Sequence, residues 1–211
     1  QTELATTLDY YNSHAEEYNR TRAHTSDELE AQRQVFVRNL PSGGQILEIG
    51  AGHGRDALYF KNLGFKVVAT EPSEELAKFA EEKIKEPVLR LTAQEISFHE
   101  QFDGVWAMAS LIHVPADELL DVFRRLSRAI KPGGVIHASF IKGVGTEDHG
   151  EIADGRFFNR VGESTLRKIV QQIDELEIDE ALTYGKKDDY FGKAAPSNQF
   201  GFFNLYLRKK R

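Results

Sequence analysis

The chain has 211 residues, a formal net charge of −6 and no cysteine. These values exclude disulfides, thiolate metal sites and cysteine nucleophiles, and an acidic chain gives little support to nucleic-acid binding. Because it also lacks a bilayer-length apolar run and the basic start and apolar stretch of a signal peptide, we expect a cytoplasmic protein that contacts neither membrane nor nucleic acid.

Residues 1–40 are predicted to be helical. Polar segments with spaced apolar residues cover 2–19 and 26–39, a pattern typical of two amphipathic helices. The first of them carries the aromatic-rich sequence YYNSHAEEYNR, residues 10–20.

In residues 41–141, short apolar runs alternate with amphipathic segments. Strands separated by helices require crossover connections, so we expect a Rossmann-like, doubly wound, mostly parallel α/β sheet with helices on both faces. Strands are predicted at 45–49, 66–70, 88–92, 102–110 and 135–140, and helices at 55–64, 73–85 and 116–130.

The pattern changes in residues 142–211. Residues 149–161 are predicted to be irregular, and a helix is predicted at 163–173. Two strand-like runs, 176–185 and 200–209, favour an antiparallel hairpin at the end of the sheet. We interpret the loops 142–162 and 185–198 as insertions around a site, and no domain boundary is predicted.

A glycine-rich loop, ILEIGAGHGRDALYF at 46–60, follows the first predicted strand. In a doubly wound sheet this is where ligands bind, and glycines let a ligand approach the main chain closely. The spacing does not match the G-x-G-x-x-G of dinucleotide sites, since Arg55 occupies the third glycine position, and no P-loop Gly-Lys-Ser/Thr follows.

Charged residues around the loop indicate the ligand. Glu48 would repel a pyrophosphate but attracts an ammonium group, and Arg55 attracts a carboxylate. Glu71, at the end of the second strand, has the position of an acid that binds ribose hydroxyls, and Pro72 and Ser73 then turn the chain into the next helix. These features favour a ligand with an amino-acid end and a nucleoside but no phosphate, which is the composition of S-adenosylmethionine (SAM).

With these motifs, nearly the whole chain resembles the class I SAM-dependent methyltransferases. The resemblance is carried by LEIGAGHGRDA, VVATEPS, FDGVWAMASLIHV and AIKPGGVIHASF. GHGRDALYF, ASLIHVP and DGRFFNRVGESTL are similar to the small-molecule branch related to tellurite-resistance methyltransferases. The resemblance implies a seven-stranded sheet with an antiparallel C-terminal hairpin and one domain over 1–211. Within it, 1–40 would be a helical lid, 41–141 the cofactor-binding core and 142–211 the acceptor-side loops and hairpin.

The resemblance also implies roles for individual residues around SAM and its product S-adenosylhomocysteine (SAH). The glycine loop would line methionine and ribose, Arg55 would hold the carboxylate, and Asp56 would bind through water or fix the loop. An acid often begins the segment after the third strand, where this chain has Thr92, so Gln94 or Glu95 is predicted to serve the adenine. An aromatic residue would close over the cofactor, with Tyr18 the first choice and Tyr11 the second. The predicted cofactor set is Tyr18, Glu48, Gly50, Ala51, Gly52, Arg55, Asp56, Glu71, Pro72, Ser73, Gln94, Glu95, Ala109 and Ser110.

The acceptor side is predicted from chemistry. A sulfonium methyl group is already activated, so the protein must align the acceptor and exclude water, and a base is needed only if the acceptor loses a proton. His113 is the candidate for an acid/base or orienting role, with a structural histidine bonded to backbone as the alternative. Arg156 and Arg160 either bind an anionic acceptor or form surface ion pairs. The predicted acceptor-side residues are Tyr11, His113, Arg156, Phe157 and Arg160, and no metal-ligand spacing is found.

We therefore expect a SAM-dependent methyltransferase that acts on a small molecule by in-line attack. The alternative is a non-catalytic, regulatory SAM-binding protein with a closed acceptor side, whereas a nicotinamide-dependent oxidoreductase is disfavoured by the glycine spacing and by Glu48. The acceptor, its attacking atom and the oligomeric state are left open by the sequence.

Overall fold

A computed structural model describes residues 2–22, 24–141, 148–183 and 202–211. The predicted loop 185–198 and residues 142–147 lie outside the described residues. The helices are α1 (Glu3–Ser13), α2 (Ala15–Thr21), α3 (Asp27–Arg38), α4 (Arg55–Asn62), α5 (Glu74–Ile84), α6 (Leu119–Ala129) and α7 (Glu163–Val170). The strands are β1 (Gln45–Ile49), β2 (Lys66–Thr70), β3 (Phe102–Ala107), β4 (Ile130–Ile141), β5 (His149–Ala153), β6 (Arg156–Arg160), β7 (Leu176–Ile178) and β8 (Phe202–Lys209).

The main sheet of the described residues has six strands in the order β2-β1-β3-β4-β8-β7. The first four are parallel, and β8 pairs antiparallel with both β4 and β7. This confirms the predicted doubly wound, mostly parallel sheet with an antiparallel C-terminal end.

The core lies on both faces of the sheet because successive side chains of a strand point to opposite faces. On one face, Val105 and Ala107 join a cluster with α6 and α7, and on the other, Trp106 joins a cluster with α3, α4 and α5. The Trp106 ring packs 5.1 Å from the ring of Phe36 and 5.4 Å from that of Phe60. Helices on both faces leave the carboxyl ends of β1, β2 and β3 as the place where a cleft can form.

The predicted third strand, 88–92, is reduced to a single bridge between Thr70 and Leu89. The Leu89 N–H donates to the Ala69 carbonyl, but the next donor, the Leu91 N–H, turns back to the carbonyl of Leu89 itself. Arg90 is meanwhile held by carboxylates of α5. The expected seven-stranded sheet is therefore wrong by one strand: within the described residues, the main sheet has six strands and this bridge.

Residues 149–161, predicted to be irregular, instead form the hairpin β5–β6. Ala153 pairs with Arg156, so the turn contains only Asp154 and Gly155. Both have positive φ, 51° and 76°, which is the geometry of the tight hairpin turn that Asp-Gly favours. The Asp-Gly pair was the available signal for this hairpin.

Smaller differences concern the ends of elements. The predicted helix 2–19 is divided at His14 into α1 and α2. Of the predicted strand 176–185, the described residues 176–183 form only β7, and 184–185 lie outside the described residues. Helix α5 begins as predicted, because the Ser73 hydroxyl accepts a hydrogen bond from the Leu76 N–H and so caps the N-terminus of the helix.

Candidate functional site

A cleft of about 740 Å³, including the space at its mouth, lies at the carboxyl ends of β1, β2 and β3. Helices α1 and α2 cover it. Of the predicted site residues, those that line the cleft are Tyr11, Tyr18, Gly50, Gly52, Glu71, Pro72, Gln94, Ala109, Ser110 and His113. Those that do not line it are Glu48, Ala51, Arg55, Asp56, Ser73, Glu95, Arg156, Phe157 and Arg160.

The three loop glycines all have positive φ, between 57° and 81°, but they meet different neighbours. A Cβ at Gly50 would lie 2.6 Å from the Cβ of Ser110, and one at Gly54 would lie 2.8 Å from the Cα of Ala80 in α5. A Cβ at Gly52 would lie 3.4 Å from the Tyr18 ring. The missing side chains therefore permit close packing at Gly50 and Gly54, and Gly50 and Gly52 also line the cleft.

Glu71 is buried where β2 ends, and both of its carboxylate oxygens accept backbone hydrogen bonds. The Gly52 N–H donates to Oε2 over 2.7 Å and the Ser73 N–H donates to Oε1 over 2.8 Å. Burial raises the pKa of Glu71 to about 7, although these two bonds act in the opposite direction. Each oxygen keeps a further lone pair for a ligand in the cleft.

Glu48 is buried in β1 and does not line the cleft. Its Oε2 atom has no hydrogen-bond partner in the described part of the chain. Burial, and next the negative charge of Asp56, raise the pKa of Glu48 well above its usual range. Its predicted contact with an ammonium group stays a prediction.

Asp56, buried at the start of α4, joins that helix to α3 and β3, and its predicted role in fixing the loop stays a prediction. The Arg33 guanidinium of α3 and the Arg55 guanidinium donate to Oδ1, and the Trp106 indole N–H donates to Oδ2 over 2.9 Å. Although burial disfavours its charge, the two arginines hold the pKa of Asp56 below its usual range. Arg55 also donates to the Arg22 carbonyl over 3.3 Å, so its guanidinium is committed outside the cleft and its predicted role with a ligand carboxylate stays a prediction.

His113 lies in a short 3₁₀ turn, Leu111–His113, directly after β3. Its Nδ1 is 2.6 Å from the Phe157 carbonyl oxygen, and its Nε2 is 2.9 Å from the Tyr11 hydroxyl oxygen. Burial lowers the pKa of His113 to about 4, so its ring is neutral at pH 7. Phe157 acts through its backbone, since its N–H also donates to the Thr7 hydroxyl of α1 over 2.9 Å.

The two arginines of β6 are engaged outside the cleft. The Arg160 guanidinium pairs with the Glu151 carboxylate. The Arg156 guanidinium lies 4.6 Å from the centre of the Tyr10 ring and 4.9 Å from that of Phe158, and its Nη1 is 3.5 Å from the Tyr11 hydroxyl oxygen. Neither arrangement offers a cation directly to a molecule in the cleft.

Gln94 and Glu95, the two residues predicted to serve the adenine, differ in whether they line the cleft. The Glu95 carboxylate accepts the backbone N–H and hydroxyl of Thr92, each over 2.8 Å, and does not line the cleft. Gln94 does line it, with its amide donating to Glu118 over 2.8 Å. Gln94 is thus the better placed of the two.

Sequence reasoning missed several lining residues. Leu4, Thr7 and Leu8 form, with Tyr11, one face of α1 over the cleft, and their i, i+3, i+4, i+7 spacing was the available signal. Met108 and Val114 flank the segment that carries Ser110 and His113. Arg33 was also missed, because nothing in a helix sequence shows that one arginine reaches a buried aspartate 23 positions away.

Within the described ranges, none of the helices has the length and apolar character needed to span a membrane. The histidine, aspartate and glutamate side chains of these ranges form no cluster of three or more that could hold a metal ion.

Residues 47–138 match a protein family described as "Methyltransferase domain". YqeM of Bacillus subtilis, a protein named as a methyltransferase, is 30% identical over 113 residues, which cover 48% of this chain and 46% of that protein. The chain spans about half the length of the curated relatives it matches. It covers 64% of an uncharacterized methyltransferase of Staphylococcus carnosus and 44% of the methyltransferase GfsG of Streptomyces halstedii.

Solved structures share the fold over most of the chain. The 1,6-didemethyltoxoflavin-N1-methyltransferase of Burkholderia thailandensis, solved with 1,6-didemethyltoxoflavin and SAH, has a TM-score of 0.76 and 17% identity, covering 99% of this chain and 89% of that one. Magnesium protoporphyrin IX methyltransferase of Synechocystis, solved with SAM, has a TM-score of 0.68 and 17% identity, covering 100% and 98%.

Proposed function

We propose that this chain is a class I SAM-dependent methyltransferase that binds SAM in the cleft and transfers a methyl group to a small-molecule acceptor; the match of residues 47–138 to a methyltransferase domain and the shared fold support this. The observation that carries the proposal is Glu71, a carboxylate at the end of β2 that lines the cleft and is bonded to the glycine loop. The similarity to the tellurite-resistance branch stays a prediction.

The residues present fit the polar parts of SAM. The free lone pairs of Glu71 suit the two ribose hydroxyls, which can each donate one hydrogen bond. The Ser110 hydroxyl lines the cleft, yet its oxygen is buried with no hydrogen-bond partner in the described ranges. A buried polar atom normally has a partner, so a ligand group beside Gly50 would complete this one.

The remaining lining suits an adenine ring. Pro72, Leu76, Leu91 and Ala93 contribute apolar surface to the cleft. Gln94 also lines it, and its side-chain amide, which donates to Glu118 over 2.8 Å, is the polar group that we assign to the edge of the ring. We assign the adenine to this end and the methionine part to the end bordered by Gly50, Gly52 and Tyr18.

Catalysis by this chain is assigned mainly to orientation and to exclusion of water. Bound SAM supplies a methyl group already activated by the sulfonium. The Tyr18 ring over Gly52 and the Tyr11 ring, 5.7 Å from it in an edge-to-face contact, cover the cleft. Such a cover removes competing water and holds an acceptor in line with the methyl group.

A small acceptor is supported by the lining of the cleft and the charge of the molecule. The cleft is lined mostly by apolar side chains with a few polar groups such as Tyr11, Glu71 and Ser110, which is typical of small-molecule sites. The net charge of −6 gives no general attraction for a nucleic acid.

The test is calorimetry with SAM, SAH and NADH. We expect saturable binding of SAM and SAH and none of NADH, and binding of NADH alone would contradict the proposal. Release of SAH from SAM in the presence of a panel of small acceptors then separates an enzyme from a regulatory protein, which would bind SAM but show no acceptor-dependent release.

A further inference from the structure

The hydrogen bonds of His113 fix which of its nitrogens carries the proton. The Phe157 carbonyl oxygen can only accept, so the Nδ1 atom 2.6 Å away must donate to it. In the neutral ring Nε2 is then unprotonated, and the Tyr11 hydroxyl 2.9 Å away must donate to Nε2. The proton of Tyr11 is thereby directed towards His113 and away from the cleft.

This arrangement makes the Tyr11 oxygen a hydrogen-bond acceptor at the cleft wall. Both Tyr11 and His113 line the cleft. The Arg156 Nη1 also donates to the Tyr11 oxygen over 3.5 Å, and the second lone pair of that hydroxyl oxygen is the one a ligand can use. The position therefore suits a ligand group that donates an N–H or O–H bond.

The rest of the lining near Tyr11 does not suit an anion. None of the described residues that line the cleft is a lysine or an arginine. Leu4, Leu8, Met108 and Val114 instead contribute apolar wall. An anion placed there would lose its hydration without gaining a paired cation, which is costly.

We propose that the acceptor is an uncharged, largely apolar molecule whose attacking oxygen or nitrogen still carries a proton, and that Tyr11 and His113 receive this proton. This proposal rests on the proposed function. The acceptor O–H or N–H donates to the Tyr11 oxygen. As the acceptor attacks, its proton passes to that oxygen while the Tyr11 proton passes to Nε2 of His113.

The step balances. A bond forms between the acceptor oxygen or nitrogen and the methyl carbon, and the carbon–sulfur bond breaks with its electron pair remaining on sulfur. The acceptor loses one proton, and His113 becomes an imidazolium that later releases a proton to water. The Phe157 carbonyl accepts the Nδ1–H bond before and after the transfer, so the ring does not need to turn.

Binding to the SAH complex is the first test, and it uses phenol, aniline, toluene, benzoate and selenite as probes. Phenol and aniline donate a hydrogen bond, toluene has the same shape without a donor, and benzoate and selenite are anions. We expect the two neutral donors to bind more tightly than all the others. The variant Tyr11→Phe should weaken phenol binding by about 3- to 10-fold, the range of one neutral hydrogen bond, and leave toluene binding unchanged.

Tighter binding of benzoate or selenite than of phenol would overturn the proposal, as would failure of both neutral donors to bind a complex that contains SAH. An equal loss for phenol and toluene in Tyr11→Phe would overturn it too. If SAH itself does not bind, the proposed function fails first, so the two failures are distinguishable.

Proton transfer is tested with His113→Gln, whose side-chain oxygen can accept from Tyr11 but cannot take up its proton. With phenol as acceptor we expect a loss in turnover of about 100-fold or more. Pentafluorophenol has already lost its proton near neutral pH, so as an anion it should bind more weakly than phenol, but His113→Gln should lower its turnover at saturating concentration only slightly because no proton has to be removed. Nitrogen NMR of the wild-type protein should find His113 protonated at Nδ1 alone. Equal losses for the two phenols, or a proton on Nε2, would contradict the relay.

Discussion

The backbone N–H of Gly52 donates to Oε2 of Glu71 over 2.7 Å, which joins the glycine loop after β1 to the acid after β2. Replacing Glu71 with Gln should weaken SAH binding by roughly 1–3 kcal/mol, the scale of a hydrogen bond to a charged group. The amide group offers one oxygen in place of two, so it cannot accept from both backbone N–H groups and from the ribose. Calorimetry with SAH measures the change, with Glu82→Gln on the exposed side of α5 as the matched control. An unchanged dissociation constant would remove Glu71 from the ribose site.

The titration of Glu71 predicts a pH dependence of stability. Burial raises its pKa to about 7 in the folded protein, above its unfolded value, so the folded state favours the neutral acid. The contribution of Glu71 is therefore fully present below the unfolded pKa and is lost as pH rises through about 7. Between pH 5 and 8 the wild-type protein should lose about 2–3 kcal/mol of unfolding free energy relative to Glu71→Gln. Urea unfolding at each pH measures this, and parallel curves for the two proteins would contradict it.

Glu71 also predicts a pH dependence of SAH binding, and its direction is opposite to that of the unfolding free energy. Ribose hydroxyls donate hydrogen bonds, which favour the ionised form of Glu71. SAH should bind more tightly as pH rises from 6 to 8, with protons released on binding. Calorimetry in buffers of different ionisation enthalpy counts these protons. In Glu71→Gln the proton release at pH 6.5 should fall, and identical release from both proteins would show that another group is responsible.

Gly54 and Gly64 form a matched pair for the glycine loop. Both have positive φ, 81° and 89°, but a Cβ at Gly54 would lie 2.8 Å from the backbone of Ala80, whereas at Gly64 nothing lies within 4 Å. Gly64→Ala should cost about 1–2 kcal/mol for the left-handed conformation alone. Gly54→Ala should cost a further 1–3 kcal/mol, roughly, for overpacking, and should weaken SAH binding because the loop moves. Equal losses of unfolding free energy would show that α5 yields to the new methyl group.

Arg33 is predicted to stabilise the fold through Asp56. Removing it leaves the buried carboxylate with Arg55 and the Trp106 N–H alone. Arg33→Met should lower the unfolding free energy by about 2–4 kcal/mol, since a buried charge loses a partner. The exposed Arg38→Met in the same helix is the control. In the double variant with Asp56→Leu the losses should be less than additive, and strict additivity would mean that the ion pair has no net effect.

Much of the parallel half of the fold could be predicted from sequence because its signals are local. Buried strands such as 45–49 and 66–70 are short apolar runs, and Ser73 and Gly64 mark helix ends with chemistry that needs no distant partner. The segment 88–92 has the composition of a strand but lies at the sheet edge, where Arg90 is drawn to α5. Strand propensity does not predict this contact with α5, so it does not predict that segment 88–92 pairs with β2 at one residue only.

The candidate site was predictable where residues sit next to a strand end, as Glu71, Ser110 and His113 do. The candidate site was less predictable where a side chain can bond to any of several residues that are distant in sequence. Arg55 lies at the end of the glycine loop, but its guanidinium donates to Asp56 and to the Arg22 carbonyl, and sequence does not give the side-chain rotamer that decides this. The Tyr11–His113 bond joins positions 102 apart, so only the folded chain reveals it.

A crystal structure of the protein with SAH would show directly whether Glu71 binds the ribose. We expect SAH in the cleft at the carboxyl ends of β1 and β2, with both ribose hydroxyls within 2.5–3.2 Å, roughly the hydrogen-bond range, of the Glu71 carboxylate, and with its sulfur facing Tyr11 and His113. SAH bound anywhere else, or with its ribose away from Glu71, would contradict this expectation.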